Sequence, residues 1–277
     1  MVMIEKQEQR HMLFDDELGI EAYQLSGIVQ KFPNHFHEFY VIGFIEGGKR
    51  HLWCKGKEYD TSKGDLILFN PYDNHFCAPV NGELLDYRAV NIPIESMRKA
   101  IFDITGKEYL PQFTSHVVYQ SEIANSVADL YDAIVNHACY MKKEEAFFLL
   151  LENVLSEYAQ VFDELEQQPK SMGFLCDYMK EHFMENITLD ALSSMANVSR
   201  SGLLKSFTKQ FGISPYRYLQ SVRIEKAKHY LEEQMPLIEI AQLCGFTDQS
   251  HFSNYFKEFI GITPKQYQRI FKEGEKS

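Results

Sequence analysis

The stretch "CGFTDQSHFSNYFKEFIGITPKQYQ", residues 244–268, decides how the C-terminal part of this chain folds. Phe252 and Phe256 stand four residues apart, the spacing that places two side chains on one helical face. Gly245 tolerates a left-handed backbone, and Asp248 (or Thr247) is suited to cap the helix that follows. Gly261 is suited to end that helix, and Thr263-Pro264 starts the next, a cap residue followed by Pro in the first turn. The stretch therefore reads as tight turn, helix, stop and restart.

The same punctuation occurs once before. In "LDALSSMANVSRSGLLKSFTKQFGISPYRYLQ" (189–220), Leu192, Val198, Leu203 and Phe207 match Ile240, Phe246, Phe252 and Phe256. Gly212, Pro215 and Tyr218 recur as Gly261, Pro264 and Tyr267. The offset is 48 before the turn and 49 after it, so the second copy has one extra residue there. Asn197 takes the turn position of Gly245, and Ser199 is the matching N-cap. A pattern "PYRYLQSVRIEKAKHYLEE" (215–233) predicts one long helix joining the copies. Two such units form a double helix-turn-helix, whose second helices present side chains to the DNA major groove.

Charge divides the chain in the same place. Residues 1–168 carry 14 basic against 27 acidic residues, and 169–277 carry 14 against 12, within an overall net charge of −11. An acidic front half and a mildly basic back half predict two domains with different partners. The polar stretch "DELEQQPKS" (163–171) reads as the linker, giving domains at 1–165 and 171–277. The five cysteines are scattered and never spaced C-x-x-C, which fits buried thiols in a reducing cytosol better than a disulfide framework or a zinc site. The first ten residues lack the apolar stretch of a signal peptide, and no apolar run is long enough to span a membrane. A cytoplasmic protein is expected.

The front half reads as short strands. "HFHEFYVIGFI" (35–45) is rich in aromatic and β-branched residues and runs into "EGG" (46–48). "KRHLWCKGKEYD" predicts a hairpin turning at Lys55-Gly56, and "KGDLILFNPYDNHF" a turn at Lys63-Gly64 followed by an apolar strand. Strands at this spacing form an antiparallel barrel or sandwich. Beyond residue 93 the period changes. "IESMRKAIFDI" reads as a short helix. Ile123, Val127, Leu130 and Ile134, then Phe147, Leu151, Val154, Tyr158 and Phe162, predict a helical hairpin turning near "YMKKEE" (140–145). The expected fold class is α+β and multidomain: an antiparallel barrel with a helical hairpin, then an all-α domain with two helix-turn-helix units.

Two resemblances follow from these motifs. The order H-x-H, "EGG", hairpin and "KGDLILFNPYDNH" resembles the cupin barrel that serves as sensor domain in AraC-type regulators. Residues 170–272, and above all the opening stretch, resemble the AraC/XylS double helix-turn-helix. The resemblance implies a ligand-responsive transcription regulator, usually an activator and a homodimer, with double-stranded DNA, a small-molecule effector and RNA polymerase as partners. It implies no enzymatic role, no catalytic residues and no cofactor.

The DNA-contacting residues are then expected at Arg200, Ser201, Leu204 and Lys205 of the first recognition helix, and at Gln249, Ser250, His251 and Asn254 of the second. Lys205 can donate to guanine, and Gln249 or Asn254 can pair with adenine. Lys209, Lys257 and Arg223 are expected on phosphates. Much of the family has arginine at the position of Lys205, and often at that of Asn254, so both departures weaken bidentate guanine readout and leave the base preference open.

His35, His37 and His75 stand near where metal-binding cupins hold their metal, but Val41 and Ile42 occupy the place of the glutamate ligand. A resident metal is therefore not expected, although three neutral imidazoles can hold zinc. The three histidines, with His51, Trp53, Tyr59 and Tyr87, are expected to line an effector pocket suited to a sugar or other small metabolite. The alternative is a cupin-type metal-binding protein or metalloenzyme using those histidines, fused to a DNA-binding module.

Overall fold

The computed structural model describes residues 8–162 and 172–271. The stretch expected to be the linker lies outside the described residues. Two compact bodies are formed. One holds residues 8–31, 38–73 and 77–162; the other holds 172–271 together with two short stretches, 32–37 and 74–76.

The strands are β1 (Gln9–Asp15), β2 (Ile20–Ile28), β3 (Phe32–His35), β4 (Phe39–Gly47), β5 (Arg50–Cys54), β6 (Lys57–Thr61), β7 (Leu66–Phe69), β8 (His75–Pro79) and β9 (Leu85–Pro93). Helix α1 (Ile94–Thr105), β10 (Leu110–Phe113), β11 (Val117–Val118), α2 (Ala124–Val135), α3 (Tyr140–Tyr158) and β12 (Ala159–Phe162) follow. A six-stranded sheet runs β1-β2-β9-β4-β7-β11, a four-stranded one β3-β8-β5-β6, and β10 pairs with β12. The pairing of β4 with β7 and β9, of β2 with β1 and β9, and of β5 with β6 is antiparallel.

Local chemistry explains this order. Strand β4 carries no charged residue from Phe39 to Ile45, and those seven residues are buried, as a central strand covered on both faces requires. In β5 the burial alternates, with Arg50, Leu52 and Cys54 inward and His51 and Trp53 on the more exposed face. The two residues between β5 and β6, Lys55 and Gly56, both have positive φ, +47° and +82°, as a tight hairpin turn with matching twist demands.

Ile20, Ile42, Leu66, Leu68, Val90 and Ile92 of the large sheet form one core with Val127, Leu130 and Ile134 of α2 and Phe147, Leu151 and Val154 of α3. The apolar stripes of the hairpin are thus spent on covering the sheet. Each such side chain contributes about 1.5–3 kcal/mol on burial. The hairpin turns at residues 136–139, directly before "YMKKEE", which opens α3. Phe162 does not extend α3: the chain becomes extended at Ala159, and Phe162 pairs with Leu110 across β10 and β12. The ladder gives the backbone of 159–162 partners that a fraying helix end would lack.

The second body is helical apart from its two short stretches: α4 (Gly173–Glu181), α5 (Leu189–Met195), α6 (Arg200–Phe211), α7 (Pro215–Glu232), α8 (Leu237–Leu243), α9 (Gln249–Ile260) and α10 (Pro264–Ile270). The expected caps form. The Ser199 hydroxyl accepts from the Gly202 N–H at 3.1 Å, and the Asp248 carboxylate from the His251 N–H at 2.8 Å. Ser214 caps α7, and Thr263 and Gln266 form a reciprocal capping box at α10. Helix α7 is the spine: Val222, Ile224, Ala227 and Leu231 are at most 1 % exposed. No helix among the described residues is long and apolar enough to cross a membrane.

Gly245 occupies the turn between α8 and α9 with φ +70°; Asn197 has φ +51° at the corresponding turn. A Cβ on Gly245 would lie 2.9 Å from the Met184 carbonyl oxygen and 2.8 Å from Nη2 of Arg223. Gly245→Ala should therefore lower unfolding stability by at least about 1–2 kcal/mol, the cost of a left-handed alanine alone. Urea denaturation measures it, and an unchanged midpoint would contradict the crowding described.

Candidate nucleic-acid interface and effector site

Helices α6 and α9 each bury one stripe and expose another. Leu203 and Phe207 of α6, and Phe252, Phe256 and Phe259 of α9, are buried. On the opposite face Arg200, Ser201, Leu204, Lys205 and Lys209 of α6 are exposed, as are Gln249, Ser250, Asn254 and Lys257 of α9. His251 is half-buried, its ring edge-on to Tyr255 at 4.9 Å and to Phe246 at 5.8 Å. Arg200 is held by Asp190 of α5, with Nη2 2.5 Å from Oδ2, so part of its fork is engaged within the unit.

Arg223 departs from expectation. Its side chain is buried on α7, Nε donates to the Phe183 carbonyl at 2.8 Å, and Nη2 donates to the Glu185 carbonyl at 2.9 Å. Its guanidinium stands 6.0 Å from the Phe246 ring centre. A side chain so enclosed ties the segment before α5 to the turn before α9 and does not reach a phosphate. Burial lowers its pKa from the usual arginine range and pushes the neighbouring Cys244 thiol up to about 12. Nothing in the spacing of α7 separated an exposed arginine from a buried one.

The seven expected effector-pocket residues are divided between the two bodies. His35, His37 and His75 come together in the second body, with ring centres 4.4–5.2 Å apart. His35 and His75 are buried and His37 is half-buried. The His35 pKa is held well below the usual histidine range, first by burial and then by the neighbouring His75 and His37 rings. Its Nδ1 lies 2.6 Å from the Pro33 carbonyl, and its Nε2 lies 3.1 Å from Nε2 of His37. On the other side of His37, Nδ1 faces the Glu225 carboxylate of α7 at 3.5 Å. Two amides close the same neighbourhood: Asn34 and Asn74 each donate to the Gly212 carbonyl, both at 2.8 Å. Gly212 is the residue that ends α6.

His51 and Trp53 share a face of β5, but it is the exposed one. His51 Nδ1 is 3.0 Å from the Asp60 carboxylate, whose side chain is 84 % exposed, and Trp53 sits opposite Glu58. These two residues therefore do not join Tyr87 in an interior pocket. Tyr59 lies opposite Leu52 on the inward face.

Tyr87 is buried, and its ring lies across Gly43, where a Cβ would come within 2.2 Å of its hydroxyl oxygen. Only glycine leaves room for it. Tyr23 stands beside it with ring centres 5.8 Å apart. Burial drives both phenols well above their usual pKa and pushes the adjacent Cys77 thiol up to about 11. Yet Tyr23 and Cys77 keep part of their surface accessible. Arg50, fully enclosed, donates to the Ile28 carbonyl and, at 3.2 Å, to the Gln30 carbonyl. Tyr23, Arg50 and Cys77 were not expected as site residues. The alternation in β5 does place Arg50 opposite in face to His51, and that was the available signal.

Two family models match most of the chain. "AraC-like ligand binding domain" matches residues 17–157 and "Helix-turn-helix domain" matches residues 192–270. The chain belongs to the AraC family of transcriptional regulators. This AraC-family chain is 43 % identical over 268 residues to YbfI of Bacillus subtilis (strain 168), described as an uncharacterized HTH-type transcriptional regulator, covering 96 % of one chain and 98 % of the other. It is 24 % identical over 249 residues to the transcriptional activator RhaS of Escherichia coli, at 86 % and 88 % coverage. In fold it is similar to ToxT from Vibrio cholerae solved with an unsaturated fatty acid bound, with a TM-score of 0.52, 17 % identity, and 91 % and 94 % coverage. An AraC-family regulator of this kind has a ligand-binding N-terminal domain and a DNA-binding helix-turn-helix domain, the organisation expected from the sequence.

Proposed function

We propose that this regulator is a cytoplasmic transcription activator without enzymatic activity, acting as a homodimer that engages RNA polymerase under control of a small metabolite. The observation that carries the DNA-binding part is the pair of N-capped second helices, each with one buried aromatic stripe and one exposed polar face. Lys205, Gln249 and Asn254 supply base contacts, and Lys209 and Lys257 phosphate contacts. Arg200, Ser201, Leu204, Ser250 and His251 complete the surface. With a charge of only +2 over residues 169–277, affinity depends on paired half-sites more than on non-specific attraction. RhaS, an activator among the relatives, supports the direction of regulation. Selection from random DNA should enrich a motif with half-sites about one helical turn, 10–10.5 bp, apart; no enriched motif would sink this reading.

The effector belongs near Tyr23, Tyr87, Arg50 and Cys77 of the first body. Deeply enclosed hydroxyls beside accessible surface suit a ligand with an apolar body and hydrogen-bonding groups. ToxT carries a fatty acid, and amphipathic acids and sugars are the first compounds to screen by thermal shift. Because the effector must bind one arrangement better than the other, it changes DNA affinity only by its differential affinity. Tyr87→Phe should weaken the response about 3- to 10-fold, the worth of one hydrogen bond, read as a shift of the effector dose–response. An unchanged curve would move the pocket elsewhere.

A further inference from the structure

We infer that His35, His37 and His75 form a binding site for a divalent transition metal of the zinc, copper and nickel group, with Glu225 orienting one of the ligands. One ligand atom from each histidine lies within 4.8 Å of the other two. The Nε2 atoms of His35 and His37 are 3.1 Å apart. Two nitrogens bound tetrahedrally to zinc at about 2.0–2.1 Å stand about 3.3 Å from each other. The rings need only small rotations to share an ion.

An outer hydrogen bond sets the tautomer of His35. A carbonyl oxygen only accepts, so at 2.6 Å from the Pro33 oxygen the His35 Nδ1 carries the proton and Nε2 presents its lone pair. At 3.1 Å the two Nε2 atoms share a hydrogen bond, one ring donating to the other, and an ion bound between them requires His37 to carry its proton on Nδ1 instead. The Glu225 carboxylate stands 3.5 Å from Nδ1 of His37, placed to support a proton on that nitrogen when Nε2 binds an ion. A backbone carbonyl on one ligand and a carboxylate on another is the usual outer support of metal-bound histidines. Three imidazoles select zinc, copper or nickel over magnesium or calcium. His37 keeps part of its side chain, 15 %, accessible, which leaves an entry path.

A second cluster, Cys54, Asp73 and His116, has comparable spacing and fails on chemistry. Asp73 Oδ2 already accepts from the Asn70 N–H and side-chain amide, both at 2.9 Å, and Oδ1 pairs with Lys55 at 3.0 Å. Burial drives the Cys54 thiol far above its usual pKa, whereas a ligand must be the thiolate.

The position gives the metal a regulatory effect. Its ligands come from the stretches 32–37 and 74–76, which also carry Asn34 and Asn74 on the Gly212 carbonyl and Phe36 against Tyr218 of α7 at 5.1 Å between ring centres. Binding pins both stretches together beside the end of α6 and the flank of α7. The metal is thus a second signal, distinct from the organic effector, and its binding can be tested without DNA.

The experiment uses untagged full-length protein, stripped with chelator and titrated with Zn²⁺ and with Co²⁺ alone. One saturable equivalent per chain is expected, with a rise in melting temperature and the intense visible bands of four-coordinate Co²⁺. His75→Asn should abolish the bands, and Glu225→Gln should weaken zinc affinity about 10- to 100-fold while leaving the metal-free far-UV spectrum unchanged. Should His75→Asn fail to fold, His37→Asn, at a partly accessible position, replaces it. Absence of saturable binding, or binding indifferent to these substitutions, overturns the site whether or not the protein binds DNA.

Discussion

Substituting Lys205 and Asn254 together by alanine is expected to weaken specific operator binding by at least about 30-fold while leaving the circular-dichroism spectrum and melting temperature unchanged. Both side chains are exposed, one on α6 and one on α9. Each contact to a base edge is worth about 1–3 kcal/mol of discrimination. On separate helices the two losses should add, giving about 2–6 kcal/mol. Alanine favours helix, so neither helix should weaken. Lys209→Ala supplies the contrast: a phosphate contact weakens all sequences alike and lowers the salt dependence by about one ion. Gel shifts on selected and scrambled sites at two salt concentrations separate the cases. A double variant that unfolds, or that binds its site normally, would remove these residues from the interface.

Phe256→Ala is the second large effect, and it acts on stability. The ring is wholly buried on α9, 5.7 Å from Phe252 and 5.5 Å from Tyr267 of α10, centre to centre. Removing it costs the transfer free energy of the ring plus that of the cavity, about 3–5 kcal/mol. Such a loss is comparable to much of the stability of a domain this size. The C-terminal unit should unfold at markedly lower urea concentration, and DNA binding should fall with it. A loss under about 1 kcal/mol would mean the site collapses and refills, which the surrounding aromatic contacts oppose.

The two predictions draw on different levels of the molecule. Lys205 and Phe256 were assignable from sequence because a helix has one period: once Leu203 and Phe207 are taken as the core stripe of α6, and Phe252 and Phe256 as that of α9, Lys205 and Asn254 fall on the outward faces. The caps Ser199, Asp248, Ser214 and Thr263 were legible for the same local reason, each bonding a backbone N–H within three residues. Turns at Lys55-Gly56 and at Gly245 were legible because positive φ selects few residue types.

Where partners lie far apart in sequence, the reading faltered. Arg223 lies within the same helical pattern as exposed residues, yet the carbonyls it serves, of Phe183 and Glu185, are 40 and 38 positions away. Phe162 followed the α3 spacing, but its partner is Leu110. His51 and Trp53 were rightly placed on one face, while which face looks inward was settled by Arg50, Leu52 and Cys54. A strand's period of two tells which residues are together and not which side is covered.

By itself, the sequence determined the double helix-turn-helix, its caps and its exposed polar faces, because helix periodicity and capping are satisfied within a few residues. Only the tertiary structure decided that His35, His37 and His75 meet beside Glu225, that Asn34 and Asn74 share the Gly212 carbonyl, and that Tyr87 needs Gly43 to lie flat. These groups come from segments up to about 190 residues apart, and chain spacing carries no information about hydrogen bonds and close contacts closed over such distances.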